Sequence, residues 1–128
     1  MLREGLTYTA RTVVSAANTA ATAGSGDMEV FATPAMIALM EHAALSAVAA
    51  SLPDGSSTVG AEISVSHIKP TPVGGEVEAT AVLDAVDGRK LVFKVSARDA
   101  DGLIGEGSHI RYIVDRKRFM AKAAKRQG

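Results

Sequence analysis

With 128 residues, 47% hydrophobic side chains and 14 basic groups balancing 14 acidic ones, the chain is sized for a single domain (1–128) that buries a substantial core. Zero formal net charge, 4% aromatic content and the absence of Trp argue against nucleic acid as a partner. No Cys is present, which removes disulfides, thiolate nucleophiles and Cys-ligated zinc, and His42, His67 and His109 lack metal-ligand spacing, so neither a metal nor a cofactor is expected.

The segment "LTYTARTVV" (6–14), rich in Thr, Val and Tyr, reads as a first strand. Arg3 and Glu4 come early and no signal-like apolar run follows, while the longest hydrophobic stretch is interrupted by Glu41 and His42. A cytoplasmic location without membrane contact is the expectation. Residues 15–30, "SAANTAATAGSGDMEV", are small and polar and read as a lid-like loop.

A helix is then announced by Thr33, a favoured N-cap type, and Pro34 at the first helical position. It runs to about Leu52, where Pro53 and Gly55 end it. Its side chains are apolar nearly all round, with Ala at positions 35, 38, 43, 44, 47, 49 and 50, which marks a buried helix. Glu41 in its middle is the exception, because a charge in such surroundings needs a partner or a use.

Four further strands follow as an antiparallel meander. In "TVGAEISVSHIK" the residues Val59, Ala61, Ile63 and Val65 alternate with polar or small ones, and His67 continues that stripe toward the helix. "GEVEATAVLDAVD" places Val77, Ala79, Ala81, Leu83 and Ala85 on one face, and "KLVFKVSARDA" does the same with Leu91, Phe93, Val95 and Ala97. Asp87-Gly88 and Asp101-Gly102 supply hairpin signals, the second leading into "LIGEGSHIRYIVD". Residues 116–128 form a basic tail, a solvated short helix whose alternative use is contact with substrate phosphates. One sheet over one helix is an α+β arrangement. Such a sheet covers only part of a helix that is apolar all round, which calls for a second subunit.

A lone histidine on an apolar face is commonly a satisfied core group, but Glu41 on the helix that His67 should cover adds a second ionisable group to one dry place. Two such groups are the arrangement that acid–base catalysis uses. The helix start at Thr33 offers unpaired N–H groups and positive dipole potential to a developing oxyanion. Thr33 and Glu41 are eight residues apart, about 12 Å and about 80° on a helix, so they line one cavity or meet across a dimer interface rather than bond directly. His42 reads as structural or interfacial, and His109 as surface or interface. Gly102, Gly105 and Gly107 lie in a strand region and make no phosphate loop.

"ATPAMIALME", "VGAEISVSHIKPTPVG" and "VDGRKLVFKVSARDADGLIGEG" together resemble the fluoroacetyl-CoA-thioesterase-like family of hotdog-fold proteins, over about residues 30–114. The resemblance implies an antiparallel five-stranded sheet wrapped around one long buried helix, paired into a homodimer with acyl-CoA sites at the interface. It implies a catalytic set that falls on Thr33, Glu41 and His67, with Gly60 beside the acyl group and Arg111 near the rim. Phe31, the one aromatic residue near the lid stretch, joins Gly60 and Arg111 as a substrate-binding candidate. Members selective for fluoroacetyl groups are expected to close the pocket with lid aromatics, so the resemblance implies a thioesterase without implying that selectivity.

The function expected is hydrolysis of a small acyl-CoA thioester to the free acid and CoA. Thr33 and the helix N–H groups would polarise the carbonyl, Glu41 would attack it or activate water, and His67 would relay protons. The alternative is a non-catalytic acyl-CoA-binding dimer, a ligand sensor. A hydratase on the same fold ranks below both, because the His and acidic pattern expected of one is missing.

Overall fold

A computed structural model describes residues 1–127. Its centre is the expected helix, α2 (Thr33–Ala49), which packs across one face of a five-stranded antiparallel sheet. The strands are β1 (Thr7–Val13), β2 (Ser56–His67), β3 (Glu76–Asp87), β4 (Lys90–Asp99) and β5 (Gly102–Asp115). This is the hotdog arrangement that the resemblance implied. Residues 15–30 are not irregular throughout: a 3-10 turn (Ala16–Asn18) and a one-turn helix α1 (Ala20–Ala23) form there. Ser15 and Thr19 cap these two turns, and Gly24 closes the second in the left-handed region. The basic tail forms α3 (Arg116–Ala124), whose N-cap Asp115 accepts from the Arg118 N–H. No helix among the described residues is long and apolar enough to cross a membrane.

The sheet order is β1-β3-β4-β5-β2, so the second strand does not open a four-strand meander as its place in the sequence suggested. The 68–75 connection contains Pro70 and Pro72 and is too long for a tight hairpin. It carries the chain away from β2, which pairs instead with β5, while β1 takes the place beside β3. The two real hairpins fall at the Asp-Gly pairs, with Gly88 and Gly102 at positive φ.

Met36, Met40, Ala43, Ala44 and Val48 are the fully buried side of α2, packed against Val77, Ala79, Ala81, Leu83, Leu91 and Phe93 of the sheet. Burying each of the large ones is worth roughly 1.5–3 kcal/mol. Gly105 sets how close the helix can come, since a Cβ there would lie 2.8 Å from the Met36 sulfur and 2.5 Å from the Ser66 carbonyl. Ile37 and Leu45 are only half-buried, and Ala38, His42 and Ala49 are exposed, so the remainder of the apolar circumference has no cover within the chain.

Two strands depart from strict alternation through β-bulges. In β2 the register shifts between Gly60 and Glu62, leaving Ala61 as the extra residue. Before it, Thr58 and Gly60 face the helix, paired near Ile113 and Arg111; after it, Ile63, Val65 and His67 do. The stripe expected to include Val59 and Ala61 is therefore broken in its first half and holds in its second. In β3 a shift between Leu83 and Ala85 likewise takes Ala85 off the inner face, while Val77 through Leu83 stay on it.

Candidate active site

β2 and α2 run in opposite directions, so the start of the helix meets the end of the strand. There the Thr33 hydroxyl and His67 Nδ1 are 2.7 Å apart. The expected N-cap role of Thr33 is not what forms: the cap is Ala32, whose carbonyl takes the Met36 N–H at 3.0 Å. Thr33 is thus the first helical residue and Pro34 the second. The hydroxyl is left free for the imidazole, and no side chain caps the helix's leading N–H groups.

Phe31 is buried, its ring edge-on to His67 with centroids 6.5 Å apart. Its N–H donates to the Thr71 carbonyl and it bridges to Thr19, so the lid segment is pinned where it joins the helix. His67 Nε2 is buried and has no hydrogen-bond partner among the described residues. Burial holds the His67 pKa below its ordinary value, opposed by a backbone contact at Lys69, so the ring is neutral near pH 7. An open cleft of about 270 Å³ is lined by Phe31, Thr33, His67 and Lys69 together with the small lid residues Ala20 and Ser25. A cleft of comparable size, about 240 Å³, lies by the exposed Arg11–Glu78 ion pair and includes none of the candidate residues.

Glu41 does not line the Thr33–His67 cleft. Its carboxylate lies two turns further along α2, over Gly60, where an added Cβ would come within 2.6 Å of Oε2. Only glycine leaves that space. Arg111 Nη1 lies 3.8 Å from Glu41 Oε2 and pairs with the carboxylate. The Glu41 side chain is nonetheless 42% exposed, so it does not share the dry place with His67 that the apolar helix suggested. Arg111 is not at a rim: it is 6% exposed and forms the floor beneath Glu41. Its Nε donates to the Thr58 hydroxyl (2.8 Å) and its Nη2 to the Thr58 carbonyl (2.9 Å).

His109, read from the sequence as surface or interface, is buried beside Arg111 at 1% exposure. Its position opposite Ile63 in β5 follows from the register that the bulge sets, which alternation alone does not reveal. His42 lies on the exposed part of α2 with Tyr8 edge-on at 6.3 Å. Among the described residues no three His, Asp or Glu side chains gather as a metal-ligand set.

One chain therefore presents two polar clusters on one helix–strand seam. The first is a hydroxyl–imidazole pair at a helix start, suited to polarising a carbonyl and moving a proton. The second is a carboxylate on a fixed cation.

The family described as FlK, fluoroacetyl-CoA-specific thioesterase, matches residues 14–117. A fluoroacetyl-CoA thioesterase from Streptantibioticus cattleyicolor is 44% identical over 94 residues, 73% of this chain and 68% of that protein. The crystal structure of the fluoroacetyl-CoA thioesterase FlK superposes with a TM-score of 0.92 at 35% identity, covering 100% of this chain and 99% of that one. A variant of FlK solved in complex with acetyl-CoA superposes at 0.93 with 34% identity, covering 99% of this chain and 100% of that one.

Proposed function

The chain belongs to the fluoroacetyl-CoA-specific thioesterase family, and from that premise we propose that it hydrolyses a small acyl-CoA thioester to the free acid and CoA. The observation that carries this reading is the 2.7 Å Thr33–His67 pair at the uncapped start of α2, beside a cleft, with His67 Nε2 buried and without a hydrogen-bond partner among the described residues. In this mechanism the thioester oxygen lies at the helix start, where the Thr33 hydroxyl and leading N–H groups take up its developing charge. Water, activated by Glu41, adds to the carbonyl carbon. The C–S bond then breaks. The proton that Glu41 took from the water passes to the departing thiolate by way of His67 Nε2, which accepts it and hands it on. The ring thus ends neutral and the carboxylate ends ionised. Direct attack by Glu41 gives the same products through a mixed anhydride that water opens. An oxygen-18 single turnover separates the routes, because label enters the Glu41 carboxylate only in the second. Water is the sole co-reactant, so no cofactor is part of the reading.

The site is completed by a second copy of the chain. Within one chain Glu41 is about 12 Å along the helix from Thr33 and outside its cleft. β2 ends the sheet with a twelve-residue edge free to pair, a feature that proteins cover or blunt. The half-buried Ile37 and Leu45 of α2 also await cover. Twofold pairing along β2 reverses one half-site against the other, bringing one protomer's Thr33–His67 pair toward the other's Glu41. CoA esters are cytoplasmic metabolites, which fits a cytoplasmic enzyme. The lid carries small residues at Ala20 and Ser25, which leaves the acyl pocket open and supports acyl groups larger than fluoroacetyl.

The test is thiol release from a panel of short acyl-CoAs, with Glu41→Ala and His67→Ala beside the wild type. Release by the wild type and its loss in both variants is the expected result. Binding of CoA esters without release would replace the reading with that of a sensor. Mixing the two inactive variants after unfolding and refolding together should restore about a quarter of wild-type activity, since half the dimers are then mixed and each has one intact site of two. No restoration would place all three groups of a site in one chain.

A further inference from the structure

We infer that His109 is a positioning residue of the hydrolytic site: as a neutral imidazole protonated on Nδ1, it holds the Arg111 guanidinium in place beneath Glu41. The chemistry of its two neighbours fixes this state. His109 Nδ1 lies 2.8 Å from the Glu62 carbonyl oxygen, which can only accept, so Nδ1 must donate. Arg111 Nη1 lies 3.2 Å from His109 Nε2, and a guanidinium can only donate, so Nε2 must offer its lone pair. A second ring proton would set two donors and two cations face to face.

The bulge at Ala61 creates the arrangement. It puts Gly60 opposite Arg111 and Ile63 opposite His109 on one inner face, and within it the Glu62 carbonyl turns to the imidazole. Thr58 takes the other guanidinium nitrogens through its hydroxyl and carbonyl. The cation is thereby gripped at Nε, Nη1 and Nη2. Of the groups facing His109, Arg111 from β5 opposes a second ring proton, while Glu41 from α2 and the Glu62 carbonyl from β2 favour one. Thr58 from β2 and the Phe93 ring from β4, 6.3 Å away and tilted by 32°, are uncharged. Burial, together with the guanidinium on Nε2, outweighs the two groups that favour it. Thr58, His109 and Arg111 are each at least 94% buried, so water offers no substitute for a lost partner. An ungripped guanidinium would sample other rotamers and release the carboxylate from its position over Gly60. Misplacing a reacting group costs rate rather than binding.

The kinetic consequence rests on the thioesterase reading above, whereas the imidazole's protonation does not, so the test reads both. In ¹⁵N-labelled wild-type protein, long-range ring correlations should show His109 as the Nδ1–H tautomer at neutral pH, and the Arg111 Nη1 and Nη2 signals should be resolved by hindered rotation. His109→Phe keeps the ring volume but removes the acceptor. It should merge the Arg111 signals and lower kcat about tenfold with KM within about twofold. His109→Gln, which restores an acceptor, should recover both in part. An Nε2–H tautomer or an imidazolium in the wild type would overturn the inference whether or not any variant folds. So would unchanged Arg111 signals in His109→Phe, or a Gln variant no better than the Phe one. An inactive wild type with the expected tautomer and Arg111 signals would instead count against hydrolysis while leaving the grip intact.

Discussion

His67 and His109 face the same helix from neighbouring strands, and both are held below the ordinary histidine pKa by burial. They differ in what their ring nitrogens touch. His109 uses both, one on the Glu62 carbonyl and one on Arg111, and is closed to solvent. His67 uses one, on Thr33, and leaves Nε2 without a protein partner at the wall of a cleft. An imidazole with a spare nitrogen can exchange a proton with a substrate, while a saturated one can only hold its neighbours still. Burial and a shifted pKa do not separate these two roles. The hydrogen-bond count does.

The sharpest way to break this contrast is to remove each ring. His67→Ala should lower kcat on the order of 10²–10⁴-fold, far more than His109→Phe, with both variants folded by circular dichroism. Comparable losses at the two positions would erase the distinction. Gly60→Ala comes next. Its Cβ would meet the Glu41 carboxylate at 2.6 Å, so the carboxylate must move from its place over Arg111. A loss of about tenfold or more in kcat is expected with little change in stability, because a flexible, partly exposed side chain can swing aside, read by steady-state kinetics and urea denaturation. A neutral Gly60→Ala would mean that Glu41 works from another position.

The smallest effect sharpens the comparison through pH. Both rings bind a proton less readily in the folded chain than in the unfolded one, where the ordinary value is 6.5. The unfolded state therefore takes up more protons as pH falls through and below that value, and stability declines there. The urea midpoint of the wild type should fall between pH 7.5 and pH 5, and less steeply in His109→Phe, which has lost one of the two groups. In the same range kcat/KM should fall as His67 gains its second proton. An equal midpoint slope in the wild type and His109→Phe would show that His109 is not resisting protonation.

Much of the fold was legible because core strands and helices repeat locally. Leu91, Phe93, Val95 and Ala97 alternate and are all buried, and the helix start at Thr33-Pro34 falls within a residue of its expected place. What was not legible depends on pairing between distant strands. Neither bulge leaves a mark in composition, so plain alternation puts Val59, Ala61 and Ala85 on the wrong face, and the place of β2 beside β5 is decided by a proline-containing connection whose direction the residues do not encode. His67 could be placed because it lies after the bulge, on the same parity as Ile63 and Val65. Arg111 and His109 could not be joined to Glu41, since their contact requires the β2–β5 register. The signal that could have found them was the unusual run of charged and imidazole groups at alternate positions of β5, His109 and Arg111, inside an otherwise core-facing stripe.

The single extra residue at Ala61 separates β2 into two segments of opposite parity. Shortening the strand by that one residue would rotate Thr58 and Gly60 away from the helix, strand the guanidinium without its hydroxyl and carbonyl, and leave the Ile63-to-His67 segment where it is. The imidazole and the supports beneath the carboxylate thus lie on one strand yet can be uncoupled by one deletion, so lineages could retune one half of the chemistry without disturbing the other.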